Sequence, residues 1–255
     1  MSNKSKAWDI IGDKFWQLGA KRLKPTKETI KTYIHGIDKK NNCCVIGATS
    51  IGLINALLRK NINLTVFDFS KVMCDSLKSK TKGKIKIIYH DATKTFDKSF
   101  FNSFDIVIFD RLINRFSIEE CKKFLNNIRR ILNDSGEIRT TIKHGLYKLD
   151  HEIIESLENR PNELIKIFDS KHLTINYSMA APTLKKLGLK NGRIKQKDLI
   201  NWYVNRGKEQ RFSDMLIKDI LSKANYKISF SEKVNDGTNS IYYIIKKTKK
   251  LNGGF

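Results

Sequence analysis

Between residues 41 and 145, short apolar runs alternate with helix-patterned segments, and this alternation constrains the fold more than any other feature of the chain. CCVIG (43–47) reads as a strand, IGLINALLRK (51–60) as a helix, LTVFDFS (64–70) as a strand, SKVMCDSLKSK (70–80) as a helix and KIKIIYHDA (84–92) as a third strand. FDIVIFD (104–110) predicts a fourth strand and IEECKKFLNNIRRIL (118–132) a strongly periodic helix. SGEIRTTIKHG (135–145) predicts a fifth strand after the turn at Asp134, Ser135 and Gly136. Strands separated by single helices return to the same edge of a parallel sheet, so the expected class is a doubly wound α/β fold with helices on both faces. The tail differs. A helix over 212–225 precedes two strands, 226–234 and 240–247, joined by a turn-rich link too short for anything but an antiparallel pair. No internal repeat is visible.

The predicted organisation is an N-terminal helical lid over residues 1–40, a core over 41–145, a covering insertion over 146–210, and a C-terminal helix and hairpin over 211–250 that complete the core. The sequence holds 255 residues, 40% of them hydrophobic, enough for one sizeable core. No stretch approaches the roughly 20 apolar residues of a membrane helix, and MSNKSKAWD lacks a secretory core, so a cytoplasmic protein is expected. Cys43, Cys44, Cys74 and Cys121 have no metal-ligand spacing; neither zinc nor a disulfide framework is predicted. The net charge of +23 raises nucleic acid or an anionic substrate as partner. The lysines are spread along the chain, however, and suit a solvated surface as well as a binding face.

In an open parallel sheet, ligands bind beyond the carboxyl ends of the strands, where a helix begins. The break from Gly47 to Gly52 lies there. Asp68, twenty-one positions after Gly47, ends the second strand where a carboxylate can accept from both ribose hydroxyls. His90-Asp91-Ala92 closes the third strand, where an acid can accept from an exocyclic amine and a small residue leaves space for a flat base. Taken singly, Asp68 and Asp91 read equally well as helix caps; together they read as an adenosine site.

VIGATSIG, FDFS and HDA, followed by FDIVIFD, IRRILNDSGEIR and the final hairpin, resemble the successive motifs of class I S-adenosylmethionine-dependent methyltransferases over residues 41–145 and 211–248. The resemblance implies a seven-stranded Rossmann-like sheet with an antiparallel last strand and S-adenosylmethionine as cofactor. It implies cofactor contacts from Gly47, Ala48, Thr49, Asp68, Phe69, Ser70, Asp91, Ala92 and Asp110. Val45, Thr49 and Glu137 depart from the usual pattern; Gly-x-Thr at 47–49 is similar to a bacterial small-molecule subgroup, as is the Lys24-Pro25-Thr26 turn after the leading helix.

That leading helix carries Trp8, Ile11, Phe15 and Trp16, a stripe that either packs on the sheet or roofs the sulfonium, with Trp16 as cofactor contact. Asp110 and Asn114 follow the fourth strand and are candidate catalytic residues, Asp110 reading equally well as a cap or a partner for Arg111. His144 ends the fifth and is a candidate general base; Tyr177 in the insertion is a further candidate. An Asn or Asp followed by Pro-Pro and an aromatic is absent at 110–113, as is a Pro-Cys nucleophile, which weakens base methylation. The expected activity is methyl transfer to O, N or S of a small molecule. The alternatives are transfer or cyclisation of the aminocarboxypropyl group, as in azetidine-2-carboxylate formation, and RNA methylation. The oligomeric state is left open.

Overall fold

The computed structural model describes residues 3–12, 24–48, 50–190 and 194–248. Its helices are α1 (Asn3–Ile11), α2 (Lys27–Ile34), α3 (Ile51–Leu58), α4 (Lys71–Lys80), α5 (Ile118–Ile131), α6 (Lys148–Glu155), α7 (Pro161–Ile167), α8 (Ala181–Lys186), α9 (Gln196–Arg206) and α10 (Asp214–Lys223). The strands are β1 (Asn42–Ile46), β2 (Asn63–Asp68), β3 (Lys86–Tyr89), β4 (Phe104–Asp110), β5 (Leu132–Lys143), β6 (Phe168–Asp169), β7 (Thr174–Asn176), β8 (Lys208–Gln210), β9 (Tyr226–Lys233) and β10 (Ser240–Lys247).

Seven strands form one sheet in the order β3-β2-β1-β4-β5-β10-β9. The first five are parallel, and β10 enters antiparallel between β5 and β9, with Tyr242 opposite Thr141. The chain winds outward from β1 to β3, returns to place β4 on the other side of β1, and so creates a switch point between β1 and β4.

Strands buried on both faces must be apolar at every position rather than at alternate ones. Cys43 and Val45 of β1 accordingly face α3, packing with Leu53 and Leu57, while Cys44 and Ile46 face the opposite core with Phe124 and Ile128 of α5. Helix α5 starts with a capping box, Ser117 Oγ accepting from the Glu120 amide and Glu120 Oε2 from the Ser117 amide. Gly136 is required by space: a Cβ there would lie 2.9 Å from the Asp105 carbonyl of β4.

The expected irregular covering over 146–210 is more ordered than its proline and glycine content predicts. It contains α6 to α9 and a second sheet, β6-β7-β8, around Ile153, Leu157, Ile175, Tyr177 and Leu184. Its elements are too short to carry a readable period. Helix α1 reaches only to Ile11, followed by Gly12 at φ +47°; Phe15 and Trp16 lie outside the described residues. Among the described residues no helix is long and apolar enough to cross a membrane.

Candidate active site

At the carboxyl edge of the sheet the ends of β1 to β5 open into one cleft of about 600 Å³, within the roughly 300–1,000 Å³ usual for small-molecule sites. Gly47, Asp68, Phe69, Asp91, Ala92 and Asp110 line it, so the sequence's six strand-end residues converge. Gly47 takes φ +102°, open to glycine and strained for any other residue, and its amide still donates to the Phe67 carbonyl at 2.8 Å.

Asp68 fixes this turn. Its Oδ2 accepts from the Ala48 amide at 2.7 Å and its Oδ1 from the Ser70 amide at 2.8 Å, so the acid that ends β2 also holds the loop after β1. Each carboxylate oxygen has a second lone pair, which leaves acceptor capacity on the cleft side. Burial pushes its pKa up to about 6 against the opposing amide bonds from Ala48, Ser70 and Phe69, with Asp9 adding to the rise. Ser70 does not line the cleft. It caps α4, Oγ accepting from the Met73 amide, and donates to Asp9 Oδ1 at 2.6 Å. Asp91 accepts through Oδ1 from the amide and hydroxyl of Thr93, so its cap-like reading holds alongside its place on the cleft.

Asp110 is oriented from below. Its Oδ1 accepts from Thr141 Oγ1 and from Tyr33 Oη at 3.2 Å, while Tyr33 Oη in turn accepts from the Thr141 amide at 2.8 Å. Both of these contacts go to Oδ1, and Asp110 lines the cleft. Helix α1 does both things expected of it as alternatives: Ala7 and Ile11 pack into the core with Leu53, Met73 and Leu77, and its polar residues reach across the cleft. Lys4 donates to the Arg115 carbonyl at 2.6 Å and to Glu120 Oε2 at 2.5 Å beyond β4, while Asp9 holds Ser70 beyond β2. The helix therefore spans the cleft, presenting Trp8, which meets Trp202 of α9 edge to face at 5.6 Å.

Three expected catalytic residues, His144, Asn114 and Tyr177, do not line the cleft. His144 turns its ring onto Tyr243, with Nε2 2.9 Å from Tyr243 Oη, and burial lowers its pKa. Asn114 is fully buried and ties the loop after β4 to β5, donating to the Lys143 carbonyl at 2.9 Å and accepting from the Lys143 amide at 3.0 Å. Tyr177 donates to Asp150 Oδ1 at 2.6 Å within the insertion. Thr49 and Trp16 lie outside the described residues.

Sequence reasoning missed the basic wall. Lys4, Arg115, Lys143 and Arg206 line the cleft, as does the hairpin turn Gly237-Thr238-Asn239. Lys143 ends β5 as Asp68 ends β2 and Asp110 ends β4, and Arg115 lies five residues past β4, but basic residues are so common here that none stood out. Burial lowers the Lys143 pKa, Arg211 and Arg111 adding to the effect while Asp150 opposes it. Burial alone would raise the Glu209 carboxyl, yet Arg206, Arg115 and Arg211 overcome it and hold it below the carboxylate range. Ser50 Oγ, His90 Nε2, Tyr147 Oη and Trp202 Nε1 are buried on this cleft without a partner among the described residues. A site lined with orphaned polar atoms is shaped for a polar ligand.

The winding order, the antiparallel β10 and the cleft at the switch point define the class I methyltransferase fold. Residues 42–136 match the methyltransferase domain family. No curated protein sequence matches the chain. A solved structure from Rhodobacter sphaeroides, provisionally named a Zn-dependent alcohol dehydrogenase, is 30% identical over 97% of this chain and 99% of that one, with a TM-score of 0.92. The 1,6-didemethyltoxoflavin-N1-methyltransferase of Burkholderia thailandensis, solved with 1,6-didemethyltoxoflavin and S-adenosylhomocysteine, is 10% identical. It covers 96% of this chain and 88% of its own, with a TM-score of 0.58. An S-adenosylmethionine-dependent methyltransferase from Clostridium acetobutylicum is 14% identical over 96% and 98%, at a TM-score of 0.56. The chain belongs to one family with the Rhodobacter protein; it carries a methyltransferase domain on the class I methyltransferase fold, with S-adenosylmethionine as cofactor.

Proposed function

We propose that the protein transfers the methyl group of S-adenosylmethionine to an O, N or S atom of a small molecule held in the roofed cleft. The observation that carries this reading is α1 tied to both banks of a cleft of about 600 Å³, which encloses a space suited to a cofactor and a compact acceptor. The Burkholderia enzyme, a 1,6-didemethyltoxoflavin-N1-methyltransferase, has a small-molecule acceptor on the same fold.

The residues present fit the cofactor. Asp68 would accept from the ribose hydroxyls, Asp91 and the orphaned His90 Nε2 would meet the adenine, and the glycine turn at 47 would let the methionine part approach the backbone. The cofactor supplies an electrophilic methyl on a sulfonium. The chain's own contribution is alignment and exclusion of water. Trp8 and Trp202 line the cleft and would supply aromatic surface for a cation, and Asp110 would offer an acceptor for an ammonium or hydroxyl group. With His144 turned away, no general base is assigned to it. Calorimetry with S-adenosylmethionine and S-adenosylhomocysteine tests the reading, and no binding of either would remove it.

The Rhodobacter name suggests another chemistry, for which the described residues offer no metal site. Zinc in a dehydrogenase needs three protein ligands of Cys, His or acid type. Among the described residues no group of three or more His, Cys, Asp or Glu could hold a metal, and all four cysteines are buried thiols. RNA modification remains a second reading because Lys94, Lys123 and Lys148 also line the cleft. It predicts RNA affinity that falls steeply with salt.

A further inference from the structure

Charges do not balance at the β5 end of the cleft. Arg206 Nη2 lies 2.7 Å from Glu209 Oε2, Arg211 Nη1 lies 3.2 Å from the same oxygen, and Arg115 Nη1 lies 3.6 Å from it. Arg211 Nε also holds Asp150 Oδ2 at 2.6 Å. Lys143 is a fourth cation and has no acidic partner within ion-pair distance among the described residues; its Nζ donates to the carbonyls of His144 and Leu146, each at 2.8 Å. Nearby Arg111 and Lys4 are matched by Asp236 and Glu120. Four cations therefore share two carboxylates: the buried Arg206 and Arg211 are matched by Glu209 and Asp150, and the half-buried Lys143 and Arg115 at the cleft carry the surplus. A partly desolvated cation without a counter-charge gains from a partner of opposite sign.

Tyr147 gathers these cations. Arg211, Lys143 and Arg115 stand 4.6, 5.1 and 5.4 Å from its ring centroid, and its own hydroxyl is buried with no partner among the described residues. A vacant hydroxyl donor beside two surplus positive charges is the complement of an oxyanion. Its place follows from the sheet order. The adenosine contacts lie at β2 and β3, and β5 is three strands beyond β2, about 14 Å at roughly 4.8 Å per strand.

We infer that this end of the cleft binds a carboxylate or phosphate of the acceptor, so that the methyl acceptor is an anionic small molecule held by Lys143, Arg115 and Tyr147. The word acceptor rests on the methyl-transfer reading; the anion site rests on its own charges.

The test is calorimetric titration of the full chain with inorganic phosphate and with acetate. It compares the wild type with Lys143→Gln, Arg115→Gln and Tyr147→Phe, and with Lys227→Gln on the exposed face of β9 as a control for general surface charge. Affinity for at least one anion should fall tenfold or more in the Lys143 and Arg115 variants, threefold or more in Tyr147→Phe, and stay unchanged in Lys227→Gln. Tyr147→Phe removes only an unpaired hydroxyl and should fold like the wild type, so it stays readable if Arg115→Gln does not fold. Equal affinities in all five proteins overturn the inference.

Two adenosine compounds separate the sources of the anion. If Lys143→Gln weakens S-adenosylhomocysteine tenfold but not methylthioadenosine, the site serves the cofactor's own carboxylate and the acceptor assignment is wrong. A single-stranded RNA oligomer bound a hundredfold tighter than phosphate, and lost in the same variants, would reassign the site to nucleic acid and overturn a small-molecule acceptor. If the wild type binds neither adenosine compound, the methyl-transfer reading fails, while a mutation-sensitive anion site would still stand.

Discussion

Asp68→Asn is the sharpest perturbation of the site, because one carboxylate serves both the fold and the proposed ribose contact. In the wild type its oxygens accept from the Ala48 and Ser70 amides at 2.7 and 2.8 Å. An asparagine keeps one acceptor and turns an NH₂ toward the other amide. One of these two donors is then left unmatched, at about 1–3 kcal/mol of stability. For binding, a hydrogen bond to a charged group contributes about 1.5–3 kcal/mol. Loss of one ribose bond should thus weaken S-adenosylhomocysteine by roughly 10- to 150-fold.

The pH dependence supplies a second readout. The folded carboxyl titrates near 6 against an ordinary value of 3.8. A raised acid binds more protons folded than unfolded between these values, so its contribution favours the fold at low pH and is lost as pH rises through about 6. A ligand that needs the carboxylate responds in the opposite sense: affinity should be level above pH 7 and fall below 6. Calorimetry across pH 5 to 8, with thermal melts beside it, measures both. A folded Asp68→Asn protein that binds S-adenosylhomocysteine within threefold of the wild type, or that keeps the wild-type pH step, would refute the ribose assignment.

Four further outcomes are expected. Gly47→Val should cut donor affinity at least tenfold while leaving a cooperative melt, since φ +102° is strained for a β-branched residue and the new side chain would occupy the cradle. Gly136→Ala should destabilise by about 1–3 kcal/mol in denaturant titration, because a Cβ 2.9 Å from the Asp105 carbonyl forces β4 and β5 apart. Arg211→Met strands the fully buried Asp150 and should cost about 3–5 kcal/mol, read from the same titration. Product analysis should find S-adenosylhomocysteine; methylthioadenosine instead would establish aminocarboxypropyl chemistry.

The sheet was legible because doubly buried strands cannot hide: CCVI, LTVF and DIVIF have no polar alternative and read directly as parallel strands. The strand-end acids were legible for the same reason, since Asp68, Asp91 and Asp110 each follow an unmistakable run. What failed to show was side-chain direction past a strand end. His144, one residue beyond β5, stacks on Tyr243, while its neighbour Lys143 reaches the cleft. A one-residue difference in a pleated chain inverts the outcome. The insertion was opaque because its charges are paired across long separations. Nothing local joins Asp150 to Arg211, yet that pair is what brings Tyr177 and Tyr147 beside one guanidinium.

The beam that α1 lays over the cleft hangs from two unlike pins. The Asp9–Ser70 pin doubles as part of a helix cap and is a single hydrogen bond to the buried Ser70 hydroxyl, whereas the Lys4–Glu120 pin is an ion pair, its side chains 14% and 33% exposed. Dissolved ions screen that charged pair and leave the other hydrogen bond alone, so raised ionic strength is expected to loosen the beam at its Lys4 end first, which salt-dependent hydrogen exchange along α1 would show.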